Sequence, residues 1–279
     1  MTSQIKLAVI VATKNRHKLL AERSLPSIAR QSTPPDFLIV CDDSDLDIRR
    51  LNQNTVEDIE IPNCFVTYCV NTRTDGASGC WNSAVTYLAS HVDTAENVIL
   101  AFLDDDDVWL NNYLEKHAEQ YSTGADAVLS GFKHLNNESV VRVNTDKIVT
   151  KKSLLKGNTY CGMSGFSCRR ELLLSNNFDE ALPNGQDWDM FVRLFQKGIE
   201  FRNIPKPLFL YRFQTPDGIG SKLRQMRPED VNKRLGAAFK HKEFLGDYYY
   251  NDRVAQQCLY SLKAKSNKFN WFLQSIKKA

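Results

Sequence analysis

The sequence predicts an α/β fold in which helices cover both faces of a largely parallel sheet. In the first hundred residues, apolar segments of strand length alternate with helical patterns, which is the order of βαβ units. The run Val98–Leu103 is apolar throughout and lacks the alternation of a half-exposed strand. Such a run is typical of a strand that is buried on both faces of a parallel sheet.

The first half of the chain is predicted to contain four strands. Residues Ile5–Ala12 are largely apolar and should form a central strand, followed by a polar loop. The first helix should end before Pro34 and Pro35, because proline cannot continue a helix. The predicted strands are 5–12, 37–41, 63–70 and 98–103, and the predicted helices are about 17–31 and 78–91.

The second half is predicted to mix short helices with extended segments. Helices are expected at 111–121, 153–156 and 169–174, and a further helix should begin within 184–189 and end at Gly198. Extended segments are expected at 125–132, 138–149, 166–168, 201–207 and 208–212. Of these, 166–168 is expected to be an edge strand. From Arg227 onward the pattern is mainly helical. We therefore predict a main domain of residues 1–225 and a C-terminal helical extension of residues 226–279.

The composition excludes several classes of protein. With 25% charged and 42% hydrophobic residues, the chain has the make-up of a soluble globular protein. A net charge of +3 gives no support for nucleic-acid binding. No apolar run reaches the length of a membrane span, and no signal peptide is expected at the N-terminus. Cys41, Cys64 and Cys69 lie in or beside apolar runs and are predicted to be reduced thiols, as in a cytoplasmic protein.

Four consecutive carboxylates, Asp104–Asp107, follow the buried fourth strand. Open α/β sheets bind ligands beyond the carboxyl ends of their strands, so these side chains lie where a ligand is expected. Adjacent carboxylates repel one another unless they are solvated, partly protonated or share a cation, and their oxygens suit Mg²⁺, Mn²⁺ or Ca²⁺. Asp104 and Asp106 would point to the same side of a strand and could address one ion. The alternative is a solvated acidic turn.

Six segments, taken in order, resemble motifs of the family 2 glycosyltransferases, which have the GT-A fold. They are Val9–Arg16 (first strand and loop), Ile39–Asp45 (V-D-D-x-S), Gly76–Asn82 (G-x-S-x-A-R-N), Leu103–Trp109 (D-x-D-D-x-W), Gly185–Leu194 (E-D-W-D-L-x-x-R-L) and Tyr211–Gln214 (Y-R-x-H). Four positions depart from the family pattern: Ala12 replaces Pro, Trp81 replaces Arg, Gln186 replaces Glu and Gln214 replaces His.

The resemblance implies a three-layer GT-A sandwich with a mixed, mostly parallel central sheet. It also implies an inverting, metal-dependent transfer of a sugar from a nucleotide-diphosphate donor, with uridine as the expected nucleoside. The acceptor would be a hydroxyl of a saccharide or a lipid-linked saccharide. Asp187 would be the catalytic base, and Asp104 and Asp106 would hold Mn²⁺ or Mg²⁺. The nucleotide-sugar residues would be Ala12, Thr13, Asn15, Arg16, Asp43, Gly76, Asn82, Asp104 and Asp105.

Several of these residues also have structural interpretations. Asp187 and Asp189 both lie at a predicted helix start, where a carboxylate can cap backbone N–H groups. Asn82 could simply pack on the sheet, and Arg16 could be a surface charge. Asp42 is expected to face the protein interior rather than the ligand.

Two other functions compete with sugar transfer. Asp104–Val108 formally fits the D-x-D-x-T/V motif of haloacid dehalogenase phosphatases, although that motif normally ends the first strand and here three strands precede it. A non-catalytic carbohydrate- or nucleotide-binding module would leave Asp187 without a role.

The C-terminal tail combines aromatic and basic residues. Phe269, Trp271, Phe272 and Ile276 alternate with lysines between residues 263 and 278. Such a helix could lie on an anionic membrane surface, at the inner face of the membrane, or dock its aromatic side chains on the main domain.

Overall fold

A nine-stranded sheet runs through the residues that the computed structural model describes, which are 5–93, 96–213 and 234–260. The strands are β1 Lys6–Thr13, β2 Phe37–Asp42, β3 Phe65–Val70, β4 Val98–Asp104, β5 Val108–Trp109, β6 Ala127–His134, β7 Asn137–Arg142, β8 Phe166–Arg169 and β9 Phe201–Tyr211. Their order across the sheet is β3-β2-β1-β4-β8-β6-β9-β5, and β7 pairs with β6.

The pairing is mostly parallel. β1 pairs in parallel with β2 and β4, β2 with β3, and β6 with β9. β8 runs antiparallel between β4 and β6, while β5 and β7 add antiparallel pairs at the periphery. The sheet is therefore mixed, and the carboxyl ends of its parallel strands lie along one edge.

Helices flank the sheet. The first helical segment is interrupted, since a π-helical turn, Leu20–Ser24, joins α1 His17–Leu19 to α2 Leu25–Ala29. The others are α3 Leu46–Glu57, α4 Ala77–His91, α5 Tyr113–Tyr121, α6 Lys151–Leu155, α7 Arg170–Leu174, α8 Gln186–Gln196, α9 Gly236–Lys240 and α10 Lys242–Tyr260. A 3₁₀ turn, Met163–Gly165, precedes β8.

The core confirms the prediction for the fourth strand. Every residue from Val98 to Leu103 is buried, as are Leu7–Val11 of the neighbouring β1. Burying a Val, Leu, Ile or Phe side chain contributes about 1.5–3 kcal/mol relative to leaving it exposed, so these two strands are a large source of stability. A rigid pair of strands thus carries Thr13 and Asp104 to their common edge.

Three expectations for individual elements were wrong or incomplete. β8 is a central strand and not an edge strand, because its polar Ser167 is satisfied internally by His117 and Tyr121, with 2.7 Å from Ser167 Oγ to each partner atom. Residues 201–212 do not form two pieces: β9 is one strand whose register against β6 shifts near Pro207. Helix α3 was not predicted, because most of its residues are polar and it buries only Asn52 and Val56.

The predicted C-terminal extension is described only in part. Helices α9 and α10 fall inside it, and Ala237, Ala238, Phe244 and Leu245 join the hydrophobic core. The boundary at 225/226, the aromatic tail from Phe269 to Ile276, and Gln214 lie outside the described residues. Among the helices that the structure describes, none is long and apolar enough to cross a membrane.

The cysteine prediction can be checked for six side chains. All six are free thiols, and Cys41, Cys80, Cys161 and Cys168 are buried while Cys64 and Cys69 are half-buried.

Candidate active site

The last carboxylate of the acidic cluster is structural. Asp107 is fully buried and accepts hydrogen bonds from Ser164 Oγ at 2.6 Å and from the Arg212 backbone N–H at 2.8 Å. Ser164 also accepts a hydrogen bond from the Asp104 N–H at 3.1 Å. Burial, and then the neighbouring carboxylates Asp106 and Asp104, raise the pKa of Asp107. Asp107 and Ser164 therefore tie the end of β4 to the end of β9.

Asp105 connects the cluster to the loop after β1. Its carboxylate accepts hydrogen bonds from Thr13 Oγ1 at 2.8 Å and from Arg16 Nη1 at 3.0 Å. Burial raises the pKa of Asp105 to about 6, and the Arg16 guanidinium opposes that rise. Thr13, Arg16 and Asp105, which the resemblance implies for nucleotide-sugar binding, are thus brought together.

Asp104 and Asp106 have the chemistry of a two-carboxylate metal site. Burial raises the pKa of Asp104 to about 7, and repulsion from Asp106, Asp105 and Asp187 contributes to the rise. Asp106 is close to two guanidinium groups, with its Oδ2 3.2 Å from Arg16 Nη1 and 3.4 Å from Arg212 Nη1. A divalent cation would relieve the repulsion on Asp104, and Mg²⁺ sites commonly use only one or two carboxylates together with substrate phosphates.

Asp104 and Asp106 therefore fit a divalent cation that would be held partly by these carboxylates and partly by a bound ligand. Within residues 5–93, 96–213 and 234–260, no group of three or more His, Cys, Asp or Glu side chains is arranged to hold a metal ion. Asp104 and Asp106 suffice as hard oxygen donors only if a diphosphate completes the coordination.

The second acidic segment, Asp42–Asp43, divides its roles in the same way. Asp42 is fully buried and accepts hydrogen bonds from the Ser44 N–H at 2.7 Å, Asn52 Nδ2 at 2.7 Å and Tyr68 Oη at 2.9 Å. All of these partners are internal. The expectation that Asp42 faces the interior is confirmed.

Asp43 lies at the mouth of the site instead. It accepts hydrogen bonds from Lys14 Nζ at 2.6 Å, from Asn71 Nδ2 at 3.1 Å and from the Gly76 N–H at 2.8 Å. Burial opposes ionisation, but these donors outweigh it and lower the pKa of Asp43. Gly76 has φ +110°, a backbone conformation that other residues rarely adopt, and this conformation accompanies the N–H that it gives to Asp43. Asp43 and Gly76, predicted separately, thus meet.

Ala12 and Asn15 lie at the same edge of the sheet, at and just after the carboxyl end of β1. Asn15 adopts φ +56°, and its backbone N–H donates to Ser44 Oγ at 2.7 Å. Its side chain exchanges hydrogen bonds with Asp45, accepting from the Asp45 N–H at 2.9 Å and donating to the carboxylate at 3.0 Å. Ala12 is aligned with Asp104 across β1 and β4. Both residues lie in the predicted region, with Asn15 joining two loops.

Asn82 has a different environment from the one predicted. It is buried and donates to the Phe178 carbonyl at 3.0 Å and to Glu180 Oε1 at 2.7 Å, and its own oxygen accepts from the Phe178 N–H at 2.9 Å. Its amide contacts residues 178–180 and not the acidic cluster. Direct nucleotide-sugar binding by Asn82 stays a prediction, and the observed contacts are those of its structural interpretation.

The role of Glu180 was not predicted from the sequence. Besides Asn82, it accepts hydrogen bonds from Arg73 Nε at 2.5 Å and from the Thr74 N–H at 3.2 Å. Burial opposes ionisation, yet these donors lower the pKa of Glu180 to about 2. No motif surrounds Glu180 in the sequence, so only the fold reveals that it fixes the loop beside Asp43.

Asp187 begins helix α8 and faces the acidic cluster. Gly185, at φ +74°, precedes the helix and turns the chain into it. Asp187 Oδ1 accepts the Trp188 N–H at 2.7 Å, and Oδ2 accepts Asn158 Nδ2 at 2.6 Å. Burial raises the pKa of the half-buried Asp187 carboxylate. Because Asp187 is among the charges that raise the pKa of Asp104, the two carboxylates are close enough to repel each other.

The role of Asn158 was also not predicted from the sequence. Hydrogen bonds at both ends of its side-chain amide fix its position. Its oxygen accepts hydrogen bonds from the Tyr160 and Cys161 N–H groups, both at 3.3 Å. Its nitrogen donates to the Cys161 carbonyl as well as to Asp187. The loop before β8 therefore presents a fixed donor to the Asp187 carboxylate.

Asp189 points away from this site. It is fully buried, and its carboxylate oxygens lie 2.9 Å from Arg193 Nε, 2.8 Å from Lys240 Nζ and 2.7 Å from His241 Nε2. Burial opposes ionisation, but these partners lower the pKa of Asp189. Asp189 thus has the structural role that was considered for it, but through ion pairs with Arg193 and Lys240 and a hydrogen bond with His241 rather than as a helix cap.

Comparison with known proteins identifies the fold and the reaction class. The model of Glycosyl transferase family 2 matches residues 8–176, which include the Asp43, Gly76 and Asp104–Asp107 segments. The chain belongs to glycosyltransferase family 2. It is thus a glycosyltransferase, and the phosphatase interpretation fails, since Asp104 ends the fourth strand rather than the first.

Two bacterial relatives of this glycosyltransferase are similar over most of their length. The Escherichia coli UDP-Glc:alpha-D-GlcNAc-diphosphoundecaprenol beta-1,3-glucosyltransferase WfgD is 24% identical over 68% of this chain and 70% of its own. The Campylobacter jejuni GalNAc(5)-diNAcBac-PP-undecaprenol beta-1,3-glucosyltransferase is 23% identical over 94% of this chain and 90% of its own.

Solved structures confirm the GT-A fold. S. aureus TarS 1–349 in complex with UDP-GlcNAc superimposes with a TM-score of 0.66 at 18% identity, covering 95% of this chain and 75% of that one. The mannosyltransferase PcManGT from Pyrobaculum calidifontis, in complex with GDP-Man and Mn²⁺, gives a TM-score of 0.55 at 18% identity, covering 97% and 84%.

Proposed function

We propose that this glycosyltransferase transfers a sugar, with inversion, from a UDP-sugar to a hydroxyl of a lipid-linked saccharide, assisted by Mn²⁺ or Mg²⁺. The observation that carries the proposal is the acidic end of β4, where Arg16 and Arg212 lie beside Asp105 and Asp106, together with the repulsion between Asp104 and Asp187, whose hydrogen-bond donors Asn158 and Trp188 are neutral. The relative WfgD, named for a UDP-Glc donor and a diphosphoundecaprenol acceptor, and the UDP-GlcNAc complex of TarS support the choice of substrates.

The donor side uses the loops after β1 and β2. Asp43 remains ionised at neutral pH and can accept hydrogen bonds from the uracil N3–H or from a ribose hydroxyl. Thr13 and Arg16 contact Asp105 at the adjacent strand end. The positively charged guanidinium of Arg16 would therefore lie beside the expected position of the diphosphate.

The leaving group is the nucleoside diphosphate, which gains charge as the glycosyl–oxygen bond breaks. A divalent cation bound by Asp104 and Asp106 would stabilise that charge. The guanidinium groups of Arg16 and Arg212, already beside Asp106, supply further positive charge at the same edge of the sheet. Two guanidinium groups therefore lie at the edge of the sheet where the leaving group is expected.

Asp187 supplies the other half of the reaction. Its carboxylate takes the proton of the acceptor hydroxyl while that oxygen attacks the anomeric carbon, and the bonding electrons of the broken glycosyl–phosphate bond leave with the diphosphate. Attack opposite the leaving group inverts the anomeric carbon. General base catalysis of this kind contributes roughly 10²–10⁴ in rate. A raised pKa makes Asp187 a stronger base than an exposed aspartate.

We further propose that the enzyme works at the cytoplasmic face of a membrane. Acceptors on a lipid carrier would bring it there, and the aromatic–basic tail of residues 263–278 has the composition of an interfacial helix. Removing the last dozen residues should reduce co-sedimentation with anionic liposomes. Unchanged co-sedimentation would remove the tail from the proposal.

The proposed function is tested by combining nucleotide binding with transfer. UDP with Mn²⁺ should raise the melting temperature by several degrees, since saturation at 100 times Kd adds about 2.7 kcal/mol, and either component alone should do much less. Asp106→Ala should remove the metal-dependent part of that shift. Equal shifts with and without Mn²⁺ would overturn the metal assignment, and absence of transfer from every UDP-sugar to lipid-linked saccharides would overturn the proposed function.

A further inference from the structure

Four aromatic side chains form a continuous row at the ends of β6 and β9. We call Phe132, His134, Tyr211 and Phe213 the aromatic row. Ring centroids are 5.0 Å apart between Phe132 and Tyr211, 6.1 Å between Tyr211 and Phe213, 4.6 Å between His134 and Phe213, and 6.0 Å between Phe132 and His134. The rings therefore contact one another around the whole group.

Strand register explains why these rings meet. β6 and β9 are parallel here, with Phe132 opposite Phe209 and His134 opposite Tyr211. Side chains two residues apart share a face of a strand, so the rings fall on one face. Phe209 lies on the same face and is fully buried against Phe132, with ring centroids 5.4 Å apart, while Phe213 at the outer end of the row is 42% exposed. The row is anchored in the core and presents apolar ring surface to solvent.

The row adjoins the proposed catalytic residues. Arg212, between Tyr211 and Phe213, donates its backbone N–H to Asp107 at 2.8 Å and lies 3.4 Å from Asp106. After burial, the carboxylates that raise the pKa of Tyr211 are Asp107, Asp104, Asp187 and Asp106. The inner end of the row thus adjoins the acidic cluster at the end of β4.

Sheet order separates the row from the nucleotide side. Asp43 and Thr13 follow β2 and β1, whereas the row lies on β6 and β9, on the other side of β4 and β8. A donor with its nucleoside at β1–β2 and its diphosphate at the end of β4 leaves the β6–β9 end for the other substrate.

We propose that the aromatic row is the acceptor subsite and stacks against a pyranose ring of the acceptor saccharide, an inference that rests on the proposed function. The C–H groups on one face of a pyranose form an apolar surface that fits an aromatic ring, while its hydroxyls stay in water. Stacking on the row orients an acceptor hydroxyl toward Asp187. Phe213 and His134, at the outer end, bind the ring and do not take part in proton transfer.

The experiment compares matched substitutions at exposed phenylalanines. Phe213→Leu keeps apolar volume but removes the ring face, Phe213→Tyr restores it, and His134→Ala shortens the row. Phe65→Leu is the control, because Phe65 is 54% exposed on the distant edge strand β3. Initial rates are measured with UDP-glucose and a short-chain GlcNAc-diphospholipid, varying each substrate in turn, after melting curves show that every variant is folded.

We expect Phe213→Leu and His134→Ala to raise the acceptor KM about three- to tenfold, with donor KM changed less than twofold. Phe213→Tyr and Phe65→Leu should keep the wild-type acceptor KM. An unchanged acceptor KM in both row variants, or a rise in donor KM instead, would overturn the subsite while the proposed function stands. Lack of transfer by the wild-type protein across all lipid-linked saccharides would overturn the proposed function and the subsite with it.

Discussion

Two carboxylates on the first turn of α8 have opposite surroundings. Within the part of the chain that the structure describes, Asp187 accepts hydrogen bonds from the neutral donors Asn158 and Trp188, whereas Asp189 is surrounded by Arg193, Lys240 and His241. Consequently the pKa of Asp187 is raised and the pKa of Asp189 is lowered. The difference teaches that two residues of separation on one helix are enough to raise the pKa of one aspartate and to lower the pKa of the other.

The strongest test of this comparison is Asp187→Asn. The substitution keeps the size of the side chain and removes its basicity, so turnover should fall about 10²–10⁴-fold. Donor KM and the UDP–Mn²⁺ melting shift should change little, because the loss belongs to the transition state. Steady-state kinetics with UDP-sugar and lipid-linked acceptor provide the measurement, and near-normal turnover would contradict the assignment.

Asp189→Asn should affect stability instead. Removing one member of a buried ion pair costs about 3–5 kcal/mol, and because Lys240 and Arg193 reach solvent we expect roughly 2 kcal/mol here. Chemical unfolding measures the loss. Below the transition, the folded fraction should retain turnover within a fewfold of wild type. A larger rate loss than that of Asp187→Asn would reverse the two roles.

Asn158→Ala tests how far the hydrogen bond from Asn158 controls the pKa of Asp187. A donor to a carboxylate favours its charged form, so removing the Asn158 amide should raise the pKa of Asp187 further. Since the base acts when deprotonated, the acidic limb of the pH–rate profile should move to higher pH, with a loss of about tenfold or less near neutrality. A purely structural role for Asn158 would lower the rate equally at every pH.

The smallest effect is a difference in the pH dependence of stability. An Asp whose folded pKa is raised stabilises the fold below its unfolded value, and this contribution is lost as pH rises through the folded pKa. An Asp whose folded pKa is lowered contributes above its unfolded value, and the contribution is lost as pH falls through the folded pKa.

The usual pKa of both groups is 3.8, so the two windows lie on opposite sides of it. Relative to Asp187→Asn, the wild type should therefore gain stability as pH falls toward 3.8. Relative to Asp189→Asn, it should lose stability as pH falls below 3.8. Melting temperatures between about pH 7 and pH 3 measure both differences, and slopes of the same sign would contradict the contrast between the two sites.

Much of the fold and site followed from local sequence, and the failures have physical causes. Uniform apolarity predicted the buried strand β4, and the polar residues that follow β2 and β4 predicted the edge of the sheet where a ligand is expected, because burial and strand polarity are properties of neighbouring residues. The choice of Asp43 within that edge came from the family resemblance. Glu180 and Asn158 could not be found this way, since their partners are up to about a hundred residues distant and only the fold brings them together. β8 was misplaced because its polar Ser167 is satisfied by two partners on α5.

The position of β8 has a consequence for synthesis of the chain. Strands β1 to β4 can pair as soon as residue 104 has left the ribosome, but among the described strands the partner at the other edge of β4 is β8, which ends at Arg169. At roughly 5–20 residues per second, that edge stays open for several seconds. An apolar strand with an unpaired edge invites pairing with other chains. We therefore expect truncation between residues 110 and 165 to yield aggregating products, whereas chains extending past β8 close the edge.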